Sequence, residues 1–200
     1  MKLLLIGDFH GKIPKIKKEH ENFDAILCTG DLPKSDELRK WLFKLWEKRH
    51  EGKKLHELMD KEKYCKIYND ALKSQIPILE WLNNWNKPVF FVYGNHDYDF
   101  NSIKDIKYLK NITSLNELIK NYKNIKLLVN KIEIFKEINI IGFSDSFSRH
   151  HKTEKFKKMW NKRLEKLFNK MNKKNFNIFL THDTPQGVLD KIKDKNSPVY

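Results

Sequence analysis

Four short apolar runs in this 200-residue chain each deliver polar side chains able to hold a metal ion. Leu3-Leu4-Leu5-Ile6 leads into Gly7-Asp8-Phe9-His10, and Ala25-Ile26-Leu27-Cys28 leads into Thr29-Gly30-Asp31. Val89-Phe90-Phe91-Val92-Tyr93 runs into Gly94-Asn95-His96-Asp97, and Ile178-Phe179-Leu180 into Thr181-His182-Asp183. Oxygen and imidazole donors with no thiolate among them suit hard or borderline divalent cations. Asp8, His10, Asp31, Asn95, His96 and His182 are therefore the candidate site. A pair of such cations is a common apparatus for cleaving phosphate esters.

The elements that must position these residues follow from the runs themselves. Short stretches rich in Val, Ile and Phe and closed by a polar turn read as buried strands. In α/β sheets, ligands gather beyond the carboxyl ends of the strands, so all six residues are expected at one edge. Strands are predicted near residues 2–7, 24–29, 88–93, 125–129, 131–136, 138–143 and 177–181, with 125–143 forming a β meander. Helices alternate with the first three strands, which gives a βαβ beginning and a largely parallel sheet. Lys15 to Phe23 is a short helix candidate. Leu38, Trp41, Leu42, Leu45 and Trp46 form an apolar stripe at helical spacing over roughly 35–50. Further helices are expected at 54–73 and 76–86, then as short pieces within 101–121. Phe156, Trp160, Leu164, Leu167 and Met171 mark an amphipathic helix over about 153–173, its lysines forming a solvated face. The helical stretch between Asp31 and Asn95 either lies over the site as a cap or, the favoured reading, packs on one face of the sheet.

Composition narrows the setting. Two hundred residues fit one domain, and 33% charged with 40% apolar residues indicates a globular chain rather than a disordered or membranous one. No stretch approaches the ~20 apolar residues that span a bilayer, and the run before Asp8 is too short for a signal-peptide core. Cys28 and Cys65 give no disulfide framework, which favours a reducing, cytoplasmic setting. The net charge of +14 invites a nucleic-acid partner. The basic residues are nearly all Lys, however, whereas forked recognition of phosphates and bases favours Arg, so a general compositional bias is the stronger explanation.

Singly, each motif is weak. As a set of four in fixed order, Asp-x-His, Gly-Asp, Gly-Asn-His-Asp and His, they resemble the calcineurin-like metallophosphoesterase superfamily over residues 7–187. Thr184-Pro185 and Gly187 after His182 are similar to the family's continuation. The resemblance implies an α/β fold, a two-sheet sandwich flanked by helices, in a single domain over 1–200 with a helical insertion at about 34–86. It implies two divalent cations, manganese leading and iron, nickel, cobalt or zinc as alternatives. Asp8 and His10 would bind the first, Asp31 would bridge both, and Asn95 and His182 would bind the second. His96 would contact the phosphoryl oxygens and give a proton to the leaving group, and Asp97 either orients His96 or caps the segment that follows. The implied activity is hydrolysis of a phosphate monoester or diester by a metal-bound hydroxide. A nuclease of the same superfamily and a non-catalytic scaffold are the alternatives, and the oligomeric state stays open.

Two departures from the pattern matter. The family's frequent second Asp, three residues after the bridging one, is replaced by Lys34, which argues against the Ser/Thr protein phosphatase branch. The family's final Gly-His-x-His is absent before Tyr200. The leading expectation is that the C-terminal end of the domain is missing; supply of that block by another polypeptide, or substitution by His150 and His151, rank below it. Arg149 is a candidate phosphate contact in the same loop, against the plainer reading of a solvated residue. His20, His50 and His56 are read as surface residues.

Overall fold

Leu3–Ile6 (β1), Ala25–Cys28 (β2), Val89–Phe91 (β3) and Ile125–Leu127 (β4) form a four-stranded parallel sheet in the order β1-β2-β3-β4. The computed structural model describes residues 1–45, 47, 57–98, 113–143, 154–171 and 174–182. A second, three-stranded sheet takes Lys131–Phe135 (β5), Ile138–Phe143 (β6) and Phe176–Thr181 (β7), with β5 antiparallel and β7 parallel to β6. The architecture is mixed α/β, two sheets with helices against them, as the sequence led us to expect.

Alternation along the strands explains the layering. Ala25, Leu27, Phe90 and Val92 point to one side and meet Ile138, Ile140 and Leu180 of the second sheet together with Leu128. Ile26, Cys28, Val89, Phe91 and Tyr93 point to the other side and pack against Ile78, Leu79, Leu82, Leu115 and Ile119. A strand buried on both faces must be apolar at every position, which is why β2 and β3 read as unbroken hydrophobic runs.

The helices depart from expectation in instructive ways. Asp36–Leu45 (α1) is present, but residues 54–73 and 76–86 do not give two helices; Lys61–Asn84 is one helix (α2) that runs through Pro77. Its buried residues Tyr64, Tyr68, Ala71, Leu72, Gln75, Ile78, Leu79 and Leu82 recur every helical turn without a break. That continuous burial outweighs the single backbone hydrogen bond that proline removes. The N-terminal half of α2 packs on Leu38 of α1, and its C-terminal half packs on the parallel sheet. Support of the sheet, the favoured reading, describes that C-terminal half.

Around Lys15–Phe23 only a 3₁₀ turn, Lys18–His20, forms. Short helices follow at Asn95–Tyr98 (α3) and Leu115–Ile119 (α4), and Glu154–Phe168 is α5. The predicted meander is also corrected: β4 pairs with β3 in one sheet, whereas β5 and β6 pair in the other. The chain crosses between sheets at Leu128–Asn130, with Leu128 buried in the inter-sheet core and Asn130 in a left-handed conformation, φ 50°.

Candidate metal centre

Strand register brings the motifs level. Ile6 lies opposite Cys28, and Cys28 opposite Phe91, so the turns that follow these residues leave the sheet side by side. The ladder continues into the turns: the Asp8 N–H donates to Gly30 O at 3.0 Å, His10 N–H to Asp31 O at 2.9 Å, and Gly11 N–H to Leu32 O at 2.9 Å. From the second sheet, His182 follows directly on Thr181, the last residue of β7.

Two donor groups result, each with its ligand atoms within 4.8 Å of one another: Asp8, Asp31 and His182; and His10, Asp31 and His96. Asp31 belongs to both. Its side chain is almost fully buried, while that of Asp8 is largely exposed, so the centre opens on the Asp8 side. His10 Nε2 stands 3.8 Å from Asp8 Oδ1 and 3.8 Å from Asp31 Oδ2. His182 Nε2 stands 3.7 Å from Asp31 Oδ2 and 2.9 Å from Asn95 Oδ1. All six residues expected at the site therefore lie together.

The donor set fits divalent cations on three observations. Asp8, His10 and Asp31 all hold positive φ, at 53°, 45° and 56°, a conformation that costs free energy outside glycine and gathers at functional sites. The second ring nitrogen of His182 lies 2.8 Å from the carbonyl oxygen of Thr29. A metal-ligating histidine usually donates its other N–H to such an acceptor, which fixes the tautomer. Finally, the five carboxylate and imidazole groups of the two sets converge without a lysine or arginine paired to them among the described contacts, a charge distribution that a cation would complete.

His96 is buried with Nδ1 lacking a hydrogen-bond partner among the described residues, and its ring lies edge-on to that of His10 with centroids 5.4 Å apart. Burial lowers its pKa; the neighbouring Asp31 carboxylate pulls the other way, and His10, Arg39 and His182 add to the lowering. His10 Nδ1 likewise has no such partner among the described residues. Distance groups His96 with His10 and Asp31.

Asp97 does something the sequence did not reveal. Its described contacts do not reach the His96 ring, and the segment it was expected to cap, from residue 99 on, lies outside the described residues. Its fully buried carboxylate accepts N–H groups from Asp31 at 2.6 Å, Leu32 at 2.9 Å and Gly94 at 2.9 Å. Burial pushes its pKa up to about 7 against the pull of those donors. Both glycines of the Gly-Asp and Gly-Asn-His-Asp turns are required by this crowding. A Cβ on Gly30 would strike the Gly94 nitrogen and the Asp97 carboxylate, and one on Gly94 would strike the Asp31 carboxylate.

A family model described as calcineurin-like phosphoesterase matches residues 1–198. The chain belongs to the calcineurin-like phosphoesterase family. Membership places it among metal-dependent phosphoesterases, hydrolases acting on phosphate esters, whose members usually bind divalent metals. A solved crystal structure shares the fold with a TM-score of 0.62 at 19% identity, over 99% of this chain and 75% of that one. No curated protein matches the chain.

Several expectations fall outside the described residues: Arg149, His150 and His151, Asp183 with Thr184, Pro185 and Gly187, and His50 and His56. His20 is exposed, as expected of a surface residue. Lys34 is exposed, and its backbone N–H donates to Ser74 Oγ at 2.8 Å, tying the Gly-Asp turn to α2.

Proposed function

We propose that this calcineurin-like phosphoesterase hydrolyses a phosphate monoester or diester at a centre for two divalent cations, manganese being the leading choice. The observation that carries the reading is the double membership of Asp31, one buried carboxylate shared by two donor groups. Asp8, His10 and Asp31 would hold one cation; Asp31, Asn95 and His182 would hold the other. Divalent cations so placed supply Lewis acidity toward phosphoryl oxygens and lower the pKa of water.

The chain's own residues divide the remaining work. His182, its second nitrogen engaged by Thr29 O, has one ring nitrogen left for a ligand role. His96 has no partner fixing its tautomer among the described residues, which suits a group that gives a proton to the departing oxygen. Its backbone N–H donates to Asp31 Oδ1 at 2.9 Å, so the proton donor and the shared carboxylate keep a fixed spacing. The open side at Asp8 admits the ester.

Activity on a chromogenic phosphate ester should require added Mn²⁺, Ni²⁺, Co²⁺ or Fe²⁺ and vanish with chelator. Asp31→Asn should lose metal, whereas His96→Ala should keep metal and lose turnover. A His96→Ala enzyme as fast as wild type refutes the proton-donor role, and chelator-resistant hydrolysis refutes the metal reading.

The net charge of +14 favours one second reading, a nuclease. Binding to DNA or RNA that weakens steeply with salt, together with metal-dependent cleavage, would support it; indifference to both at low salt removes it. Metal retained near two equivalents by the purified chain argues against a non-catalytic scaffold.

A further inference from the structure

The two turns that carry Asp31 and His96 exchange carboxylates. The Asp31 carboxylate accepts the His96 N–H, and the Asp97 carboxylate accepts the Asp31 N–H, 66 residues away in the chain. Asp97 also takes Leu32 and Gly94, so one carboxylate fastens the backbone on both sides of the Asp31 side chain's anchor and the start of the opposite turn. Asp31 needs such fastening, because its φ of 56° is a conformation that a non-glycine residue leaves unless its surroundings impose it.

We infer that Asp97 is a positioning residue, whose buried carboxylate holds Asp31 in its left-handed conformation and so keeps the Asp31 side chain aimed between the two donor groups before any cation arrives. The inference rests on the metal reading of the site and deepens it. Asp97 is not itself in either donor group. It acts one step removed, as groups that hydrogen-bond to ligands do elsewhere, where their loss weakens metal binding ~10- to 100-fold.

Asp97→Asn preserves size and replaces one acceptor by a donor. Whichever way the carboxamide lies, its NH₂ meets N–H groups: that of Leu32 at one oxygen position, or those of Asp31 and Gly94 at the other. The Co²⁺ affinity of the folded variant should fall ~10- to 100-fold with a changed visible absorption spectrum, while the far-ultraviolet circular dichroism of the metal-free chain matches wild type. A purely structural role would lower thermal stability and leave the Co²⁺ spectrum and affinity alone.

Wild-type Co²⁺ affinity and spectrum in folded Asp97→Asn overturn the inference and leave the metal reading standing. A wild-type chain that binds no Co²⁺ overturns both. If the variant does not fold, amide hydrogen exchange in metal-free wild type decides. Slow exchange at Asp31, Leu32 and Gly94 supports the clasp, and exchange as fast as an open loop overturns it.

Discussion

Asp8 shows what the site costs at the scale of one residue. Its side chain is 69% exposed, so it gains little from packing, yet its backbone holds φ 53°. The left-handed region disfavours any residue with a Cβ by roughly 1–2 kcal/mol, less for Asp, while glycine enters it freely at an entropic cost. Asp8→Gly is therefore expected to leave the metal-free chain as stable as wild type, or more stable by up to about 1 kcal/mol in urea unfolding, while metal binding drops. A loss of stability beyond about 1 kcal/mol would show that Asp8 is held by contacts rather than by its proposed ligand role.

The convergence of the six candidate residues was legible in the sequence because each follows the end of an apolar run. The contacts of Asp97 were not, since its acceptor role depends on two N–H groups 65 and 66 residues away, and nothing in Gly-Asn-His-Asp points to them. Neither did spacing reveal why Gly30 and Gly94 must be glycine: the obstructing atoms belong to the opposite turn.

At the scale of elements, α2 does two jobs along its length. Tyr64, Tyr68, Ala71 and Leu72 serve the packing on α1, and Ile78, Leu79 and Leu82 cover the parallel sheet. Leu79 is fully buried there. Leu79→Ala should destabilise the chain by about 2–5 kcal/mol, read from the urea midpoint, with metal binding by the folded fraction unchanged. A change below 1 kcal/mol would mean that the helix does not seal this face. The seven strands among the described residues were visible in the sequence within a residue or two because apolar residues cluster between polar turns. The break expected between residues 73 and 76 does not form, because tertiary burial on both sides of Pro77 keeps Lys61–Asn84 one helix. The meander failed for a related reason: closeness in sequence does not say which sheet a strand joins, and Asn130, in a left-handed turn, lies where the chain changes sheet.

At the scale of the whole molecule, charge and the union of the two sheets dominate. Asp24, just before β2, accepts the Lys2 N–H at 2.8 Å and pairs with Lys136 Nζ at 2.7 Å in the turn between β5 and β6. The hydrogen bond from Lys136, then that from Lys2, hold its pKa down to about 2 from an ordinary 3.8. A depressed carboxylate stabilises the fold fully above its unfolded pKa, and that contribution is lost as pH falls through the folded value. The melting-temperature gap between wild type and Asp24→Asn should thus be constant above about pH 5 and close between about pH 4 and 2. A gap that widens on acidification would reverse the assignment. Among the described residues, no helix is long and apolar enough to cross a membrane.

His182 reaches from the end of the second sheet to Thr29 and Asn95, both on turns of the first. An ion gripped there would rivet the two halves of the sandwich across their seam. Loading the centre would then brake the parting of the layers during denaturation, making the ion a mechanical fastener as well as a reagent.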